Sequence, residues 1–327
     1  MQNVDYFSVR TFSFPYIQGF LKFDVFHKDT TQKYKKIFAA GQLVDPELLA
    51  SHILKGVSQF YVLKSARNQF LSSSLSVIQN LRGTPEIANE SSQEIIDEIA
   101  EQTLSEIFVT KKFNDQTQVF VRGIVDTYIS LAESQPVVLP HLIKLARKKE
   151  ELVKHMVMTS IFSTLLARAF DPKDHELILA AGYAGFVHDI GLSQMDVSCD
   201  EHTINMFTTQ NAELRTHSSV GAKLLIMNKG IPDQVIAGVV QHHEAFDGTG
   251  YPNRMRGNSI SLAGRIISLT GYFTAMTCGS KFATQETPTA VIQKMARSGK
   301  FDPKLIELFS NLFKLNGPQA PKKETRL

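Results

Sequence analysis

Residues 177–191 read Leu-Ile-Leu-Ala-Ala-Gly-Tyr-Ala-Gly-Phe-Val-His-Asp-Ile-Gly, and residues 235–252 read Val-Ile-Ala-Gly-Val-Val-Gln-His-His-Glu-Ala-Phe-Asp-Gly-Thr-Gly-Tyr-Pro. Each is an apolar helical run that stops at histidine. The first is opened by Asp171-Pro172 and ends in His188-Asp189-Ile190-Gly191; the second is opened by Ile231-Pro232-Asp233 and ends in His242-His243-Glu244. Neighbouring residues on a helix point about 100° apart, so His242 and His243 can face two different metals. Between the runs lies His217, in Thr-His-Ser-Ser-Val-Gly. Upstream, Glu151 and His155 are four residues apart on a segment apolar almost all round (Leu152, Val153, Met156, Val157, Ile161, Phe162, Leu165). That spacing stacks a carboxylate and an imidazole on one face, and a buried pair of this kind needs partners.

A single histidine on a greasy helix is more often a hydrogen-bonded core residue than a ligand. Here five of the ten histidines fall in four such segments, which independent core residues would rarely do. Imidazole and carboxylate are also the ligands that suit iron, manganese or zinc. His27, His52, His141, His175 and His202 lack this setting and read as structural or exposed.

Outward from these runs, every long segment beyond about residue 138 has helical period, with no convincing strand. The first 72 residues differ. Phe23–Phe26 and Phe60–Leu63 are short, aromatic and β-branched, as strands are. Between them Asp45-Pro46 reads as an N-cap with Pro at the first helical position, and the helix stops at Gly56. The segment 73–137 reads as a helical linker, broken near Gly83-Thr84-Pro85 and near Asn114-Asp115, with an amphipathic stretch from Glu94 to Phe108. The expected fold class is α+β: a small α+β module over 1–72, the linker, an all-α bundle over 138–317 and a mobile tail over 318–327. Its 327 residues accommodate two domains.

Composition excludes several functions. A net charge of +3 demands no nucleic acid polymer. No apolar run approaches the roughly 18 residues of a membrane helix, and the N-terminus lacks a basic start followed by an apolar stretch, so no signal peptide is expected. The two cysteines, Cys199 and Cys278, form neither a CxxC pair nor a disulfide framework, which points to a reducing cytoplasm.

His188-Asp189-Ile190-Gly191 together with His242-His243-Glu244-Ala245-Phe246-Asp247-Gly248-Thr249-Gly250-Tyr251-Pro252 resembles the HD-GYP family of cyclic di-GMP phosphodiesterases, over roughly residues 140 to 315. The resemblance implies an HD-type helical bundle holding two divalent transition metals, or three, most commonly iron or manganese. It implies hydrolysis of cyclic di-GMP to the linear dinucleotide and then GMP by metal-activated water. The implied metal ligands are Glu151, His155, His188, Asp189, His217, His242 and His243. Asp189 would bridge two metals as the catalytic carboxylate, and Glu151 is the ligand that three-metal members add. Tyr251 and Lys281 would contact substrate. The Gly-rich turn would support the second metal site and offer a docking surface for a protein partner. The first module loosely resembles accessory domains with a sensory or dimerising role, which makes a homodimer an expectation.

The departures matter as much. The stretch Arg265 to Thr277 matches a family helix that supplies a metal-binding Asp, yet Gly271 stands at that position and Thr274 at a second Asp. Leu192 replaces a Lys after the first motif; Ser280 and Ala283 replace cations downstream, and Phe282 a Tyr. Charge-assisted contacts of that kind contribute roughly 1.5–3 kcal/mol each, so weakened catalysis is expected. Two further readings stand beside it. One is a degenerate domain that binds metal and cyclic di-GMP but only signals; the other is a phosphatase on a different substrate.

Overall fold

The structure is a computed structural model, and it describes residues 5–17, 19–81, 90–134, 151–196, 207, 209, 211–278 and 285–315. The chain forms two compact units, Met1–Ser134 with Met227–Lys229, and Gln135–Ile226 with Gly230–Leu327.

The first unit starts with a four-stranded antiparallel sheet. Its strands are β1 (Tyr6–Arg10), β2 (Val25–Lys28), β3 (Tyr34–Phe38) and β4 (Gln59–Leu63), in the order β1-β4-β2-β3. Helix α1 (Pro46–Leu54) precedes β4, and the Asp45 carboxylate caps it by accepting from the Glu47 and Leu48 amides. Gly56 ends the segment at φ 81, where a side chain is disfavoured. The strand expected over Phe23–Phe26 is displaced by two residues, because pairing starts at Val25↔Phe38 and is irregular between Val25 and Phe26. Phe23 is instead a core plug, its ring edge-on to Phe70 at 5.6 Å. The sheet's buried face (Val9, Val25, Phe60, Val62) meets helix α2 (Arg67–Leu81). Helices α3 (Glu90–Thr110) and α4 (Asp115–Ser134) pack with α2, so the described part of 73–137 belongs to a compact unit with its own core. The chain breaks between α3 and α4 around Asn114, whose side chain accepts from the Thr117 amide.

One carboxylate in this unit is costly. Glu98, on α3, is buried and accepts from the Arg10 amide (2.8 Å) and the Ser13 hydroxyl (2.7 Å). Burial pushes its carboxyl up from 4.5 to about 7, against the pull of those two hydrogen bonds and of the Arg10 charge. An acid with a raised folded pKa binds its proton more tightly folded than unfolded. Stability contributed by that proton is therefore present below about pH 4.5 and is lost as pH rises through about 7. The loss is about 3 kcal/mol. The melting temperature should thus be lower at pH 8 than at pH 5, and Glu98→Gln should largely remove that difference. An undiminished difference in the variant would assign the slope to other groups.

The second unit is helical: α5 (Glu151–Phe170), α6 (His175–Val187), α7 (His217–Ile226), α8 (Asp233–Gln241), α9 (Leu262–Cys278), α10 (Pro288–Ser298) and α11 (Pro303–Leu315). Helix α6 starts later than expected. Asp174, not Asp171, caps it by accepting from the Leu177 amide at 2.9 Å, while Asp171 closes the preceding turn on the Lys173 amide. Helices α5, α6, α8 and α9 make the centre of the bundle. Phe162, Phe273 and Phe309 lock α5, α9 and α11 together with edge-on rings 4.8–5.7 Å apart. Among the described residues no helix is long and apolar enough to cross a membrane. The tail 318–327, the boundary near 138, and His141 and His202 lie outside the described residues. His175 is exposed, and His27 and His52 are half-buried against each other in the first unit.

Candidate metal centre

His155 projects from α5, one turn after Glu151, whose helical backbone is described but whose side chain is not. His188 caps the C-terminus of α6, and Asp189 follows at the start of a short 3-10 turn, Ile190–Gln194. His217 opens α7, and His242 ends α8 with His243 just beyond. Gly191 makes the assembly possible. A Cβ there would collide with the His217 carbonyl and approach the Gly221 amide nitrogen to 2.7 Å, so only glycine lets the turn after Asp189 press against α7.

All five imidazoles and Asp189 are buried. They form two groups that share one carboxylate: Asp189, His217, His242 and His243, and His155, His188 and Asp189. Asp189 Oδ1 lies 3.4 Å from His217 Nε2 and 3.5 Å from His242 Nε2. Its Oδ2 lies 3.2 Å from His188 Nε2 and 3.7 Å from His155 Nε2.

The back of the centre fixes the tautomers. His188, His217 and His242 each aim Nδ1 at the carbonyl three residues earlier, Gly185 (2.9 Å), Leu214 (2.6 Å) and Val239 (2.7 Å). A carbonyl only accepts, so each Nδ1 carries the hydrogen and each Nε2 faces inward, where its lone pair can serve a metal. His217 and His242 Nε2 are only 3.1 Å apart, so lone pairs on both would repel each other. A cation removes that repulsion, and the donor set fits a divalent transition metal. Burial pushes the His242 imidazole down to about 4 despite the opposing pull of Asp189, and so favours the neutral form a metal takes.

The Gly-rich turn is tied back onto the histidines. Buried Glu244 accepts from the Asn253 (2.6 Å) and Met255 (2.9 Å) amides, and the Tyr251 amide donates to the His243 carbonyl (3.1 Å). Gly248 takes a positive φ, 84, which glycine adopts freely. Gly250 does not; it is required because a Cβ would strike the backbone of His243, Glu244 and Ala245. Tyr251 consequently lies flat on His243, ring centroids 4.6 Å apart. Its phenol is pushed well up, by burial first and by the Asp189 charge second, so it stays a hydrogen-bond donor.

The departures also have places. Leu192 is buried. Gly271 is buried on α9, one turn beyond Ser268, whose hydroxyl reaches the Glu244 carbonyl at 3.3 Å. One turn further, the buried Thr274 hydroxyl has no hydrogen-bond partner among the described residues. Lys281 lies outside the described residues, with Ser280, Phe282 and Ala283. Sequence reasoning passed over Glu244 as the anchor of the turn, although its position after two histidines and before a glycine-rich loop was visible.

A helical bundle with a buried His-Asp centre at its helix ends defines an HD-type protein. A family model described as HD domain matches residues 137–305, just over half of the chain, and the chain belongs to that family, in its HD-GYP branch. It is 27% identical over 187 residues to the cyclic di-GMP phosphodiesterase PA4108 of Pseudomonas aeruginosa, covering 57% of this chain and 45% of the relative. It is 27% identical over 164 residues to the 3'3'-cGAMP-specific phosphodiesterase 2 of Vibrio cholerae, covering 49% and 31%. The chain thus spans less than half the length of these curated relatives. A solved structure described as Bd1817, a HDG"Y"P protein from Bdellovibrio bacteriovorus, superposes with a TM-score of 0.64 at 17% identity, over 95% of this chain and all of that one. At that identity the likeness concerns the fold.

Proposed function

We propose that the chain is a metal-dependent phosphodiesterase that hydrolyses cyclic di-GMP to the linear dinucleotide and GMP, at a reduced rate. The observation that carries the reading is the shared carboxylate: each oxygen of Asp189 serves a different group of inward-facing imidazoles. His217, His242 and His243 with Asp189 would hold one metal, and His155 and His188 with Asp189 a second, with Glu151 on hand for a third. Iron or manganese suits this mixture of imidazole and carboxylate. Metals bound there supply Lewis-acid polarisation of a phosphoryl oxygen and acidify water.

The protein's own contribution is orientation and exclusion. Helix ends aim four of the imidazoles and the first turns of α5 aim His155, and the carbonyls behind three of the rings prevent them from turning. Tyr251, protonated and flat on His243, offers its hydroxyl to the substrate. Lys281 would add a cation. The Asp247–Pro252 turn is a docking face for a protein partner, residues 1–72 a sensory or dimerising module, and the cytoplasm the compartment.

Protein purified and reloaded with iron or manganese without air should convert cyclic di-GMP to linear product, followed by chromatography. 3'3'-cGAMP belongs in the same assay, since one relative is named for it. Tight binding of cyclic di-GMP with no product would favour the signalling alternative, and product only from other phosphate esters would favour a phosphatase.

A further inference from the structure

A groove of about 390 Å³ opens beside the Gly-rich turn, lined by Arg215, Thr216, Ser219, Lys223, Tyr251 and Arg254 among others, none of them acidic. Its three cations come from three places: the turn before His217, helix α7, and the loop after Tyr251. None of them is in an ion pair among the described residues. Lys223 and Arg254 are exposed. Arg254 sits at φ 55, a left-handed conformation that Gly or Asn adopts more readily, so a bulky cation is held there against its backbone preference. Arg215 lies 5.0 Å from the Tyr251 ring centroid. Its Nε and the Tyr251 hydroxyl are both buried without a hydrogen-bond partner among the described residues.

Exposed cations alone are usually a solvated surface. Two buried donors that find no acceptor among the described residues, in the same groove as three cations without an ion pair there, are a different matter. Buried polar groups are nearly always satisfied, and an anion satisfies these. Two guanidiniums, an ammonium and the hydroxyls of Thr216 and Ser219 suit a phosphate group, with several oxygens to share among many donors.

We infer that Arg215, Lys223 and Arg254, with the Tyr251 hydroxyl, form a phosphate-binding subsite outside the metal centre. Tyr251 joins the two, since its ring rests on His243 and also lines the groove. If the phosphodiesterase reading holds, the subsite receives the second phosphate of the cyclic dinucleotide. It then takes over from the cations that Leu192, Ser280 and Ala283 do not supply. The same chemistry would also accept a free phosphate monoester such as the GMP product.

The test is binding to metal-loaded protein of three probes: the phosphorothioate analogue of cyclic di-GMP, which resists cleavage, GMP, and inorganic phosphate. The parent is compared with a triple variant, Arg215→Gln, Lys223→Gln and Arg254→Asn, the last chosen because Asn tolerates the left-handed backbone. Metal content and melting temperature should match the parent. The triple variant should bind the analogue on the order of a hundredfold more weakly and with a shallower salt dependence. Loss of GMP and phosphate binding with the analogue unaffected would support the subsite and assign it to the free monoester. Unchanged affinity for all three probes, or a parent that binds none of them, would overturn the proposal. Binding that behaves as expected in a parent that makes no product would retain the subsite and remove the phosphodiesterase reading.

Discussion

Asp189→Asn leaves the protein with less than half of its parent's metal and with turnover reduced on the order of a thousandfold, about 4 kcal/mol of transition-state stabilisation. Asp189 is the one residue common to both ligand groups among the described residues. Asn matches its shape but supplies one neutral oxygen, and its amide hydrogens would point at a metal or at an inward lone pair. Changing a partner one shell further out typically costs 10–100-fold in metal affinity, so the loss of a shared ligand should exceed that. The fold is not at risk, because removing a fully buried charge relieves the metal-free protein of a desolvation cost. The metal-free variant should therefore melt no lower than the metal-free parent. Elemental analysis after anaerobic reconstitution reads the first effect. Full metal retention in Asp189→Asn would mean that the carboxylate is structural. His217→Ala and His242→Ala should each remove more metal than His155→Ala, because the group around His155 has three members and its neighbour four.

How much of this was legible in the sequence depends on how local each cause was. His188 and the His242-His243 pair could be read because each closes an apolar helix with a 3.6-residue period, and His155 because it lies on an apolar helix, and these are local properties. The Asp45 cap was legible for the same reason. Strand β3 was not. Tyr34 to Lys36 are exposed and Lys35 and Lys36 adjoin, so an edge strand shows none of the alternation that betrays a half-buried one. Strand β1 does alternate, with Phe7 and Val9 inward, but five residues are too few to stand out. Gly191 and Gly250 exceed what local reading could assign. Their constraint is the backbone of another segment or of residues folded back on them, visible only once the turns close. The cation groove lies at the same limit. Arg215, Lys223 and Arg254 share no spacing, and only the approach of the Tyr251 loop to α7 collects them.

Gly271→Asp tests whether the departure in helix α9 is the cause of weakened catalysis, and its expected signature is opposite in the two metal states. The helix itself should accept the change, since Asp is slightly better than Gly in a helix interior. Burial is the obstacle. Gly271 is enclosed between the turn that carries Ser268, which touches Glu244, and the turn that carries the buried Thr274. A lone carboxylate there costs the metal-free protein several kcal/mol, roughly 3–5 by analogy with uncompensated buried charges. Its melting temperature should fall on the order of 10 °C. With a dication beside His155 and His188 the same carboxylate becomes a ligand and the cost is recovered. The loaded variant should then melt at or above the loaded parent, retain more metal through dialysis, and turn over cyclic di-GMP on the order of tenfold faster. A variant destabilised equally with and without metal would show that Gly271 does not face the centre, and would remove the explanation from α9. More metal without more product would locate the remaining deficit in phosphate recognition, where Leu192 supplies no cation and the groove at Arg215 supplies positive charge.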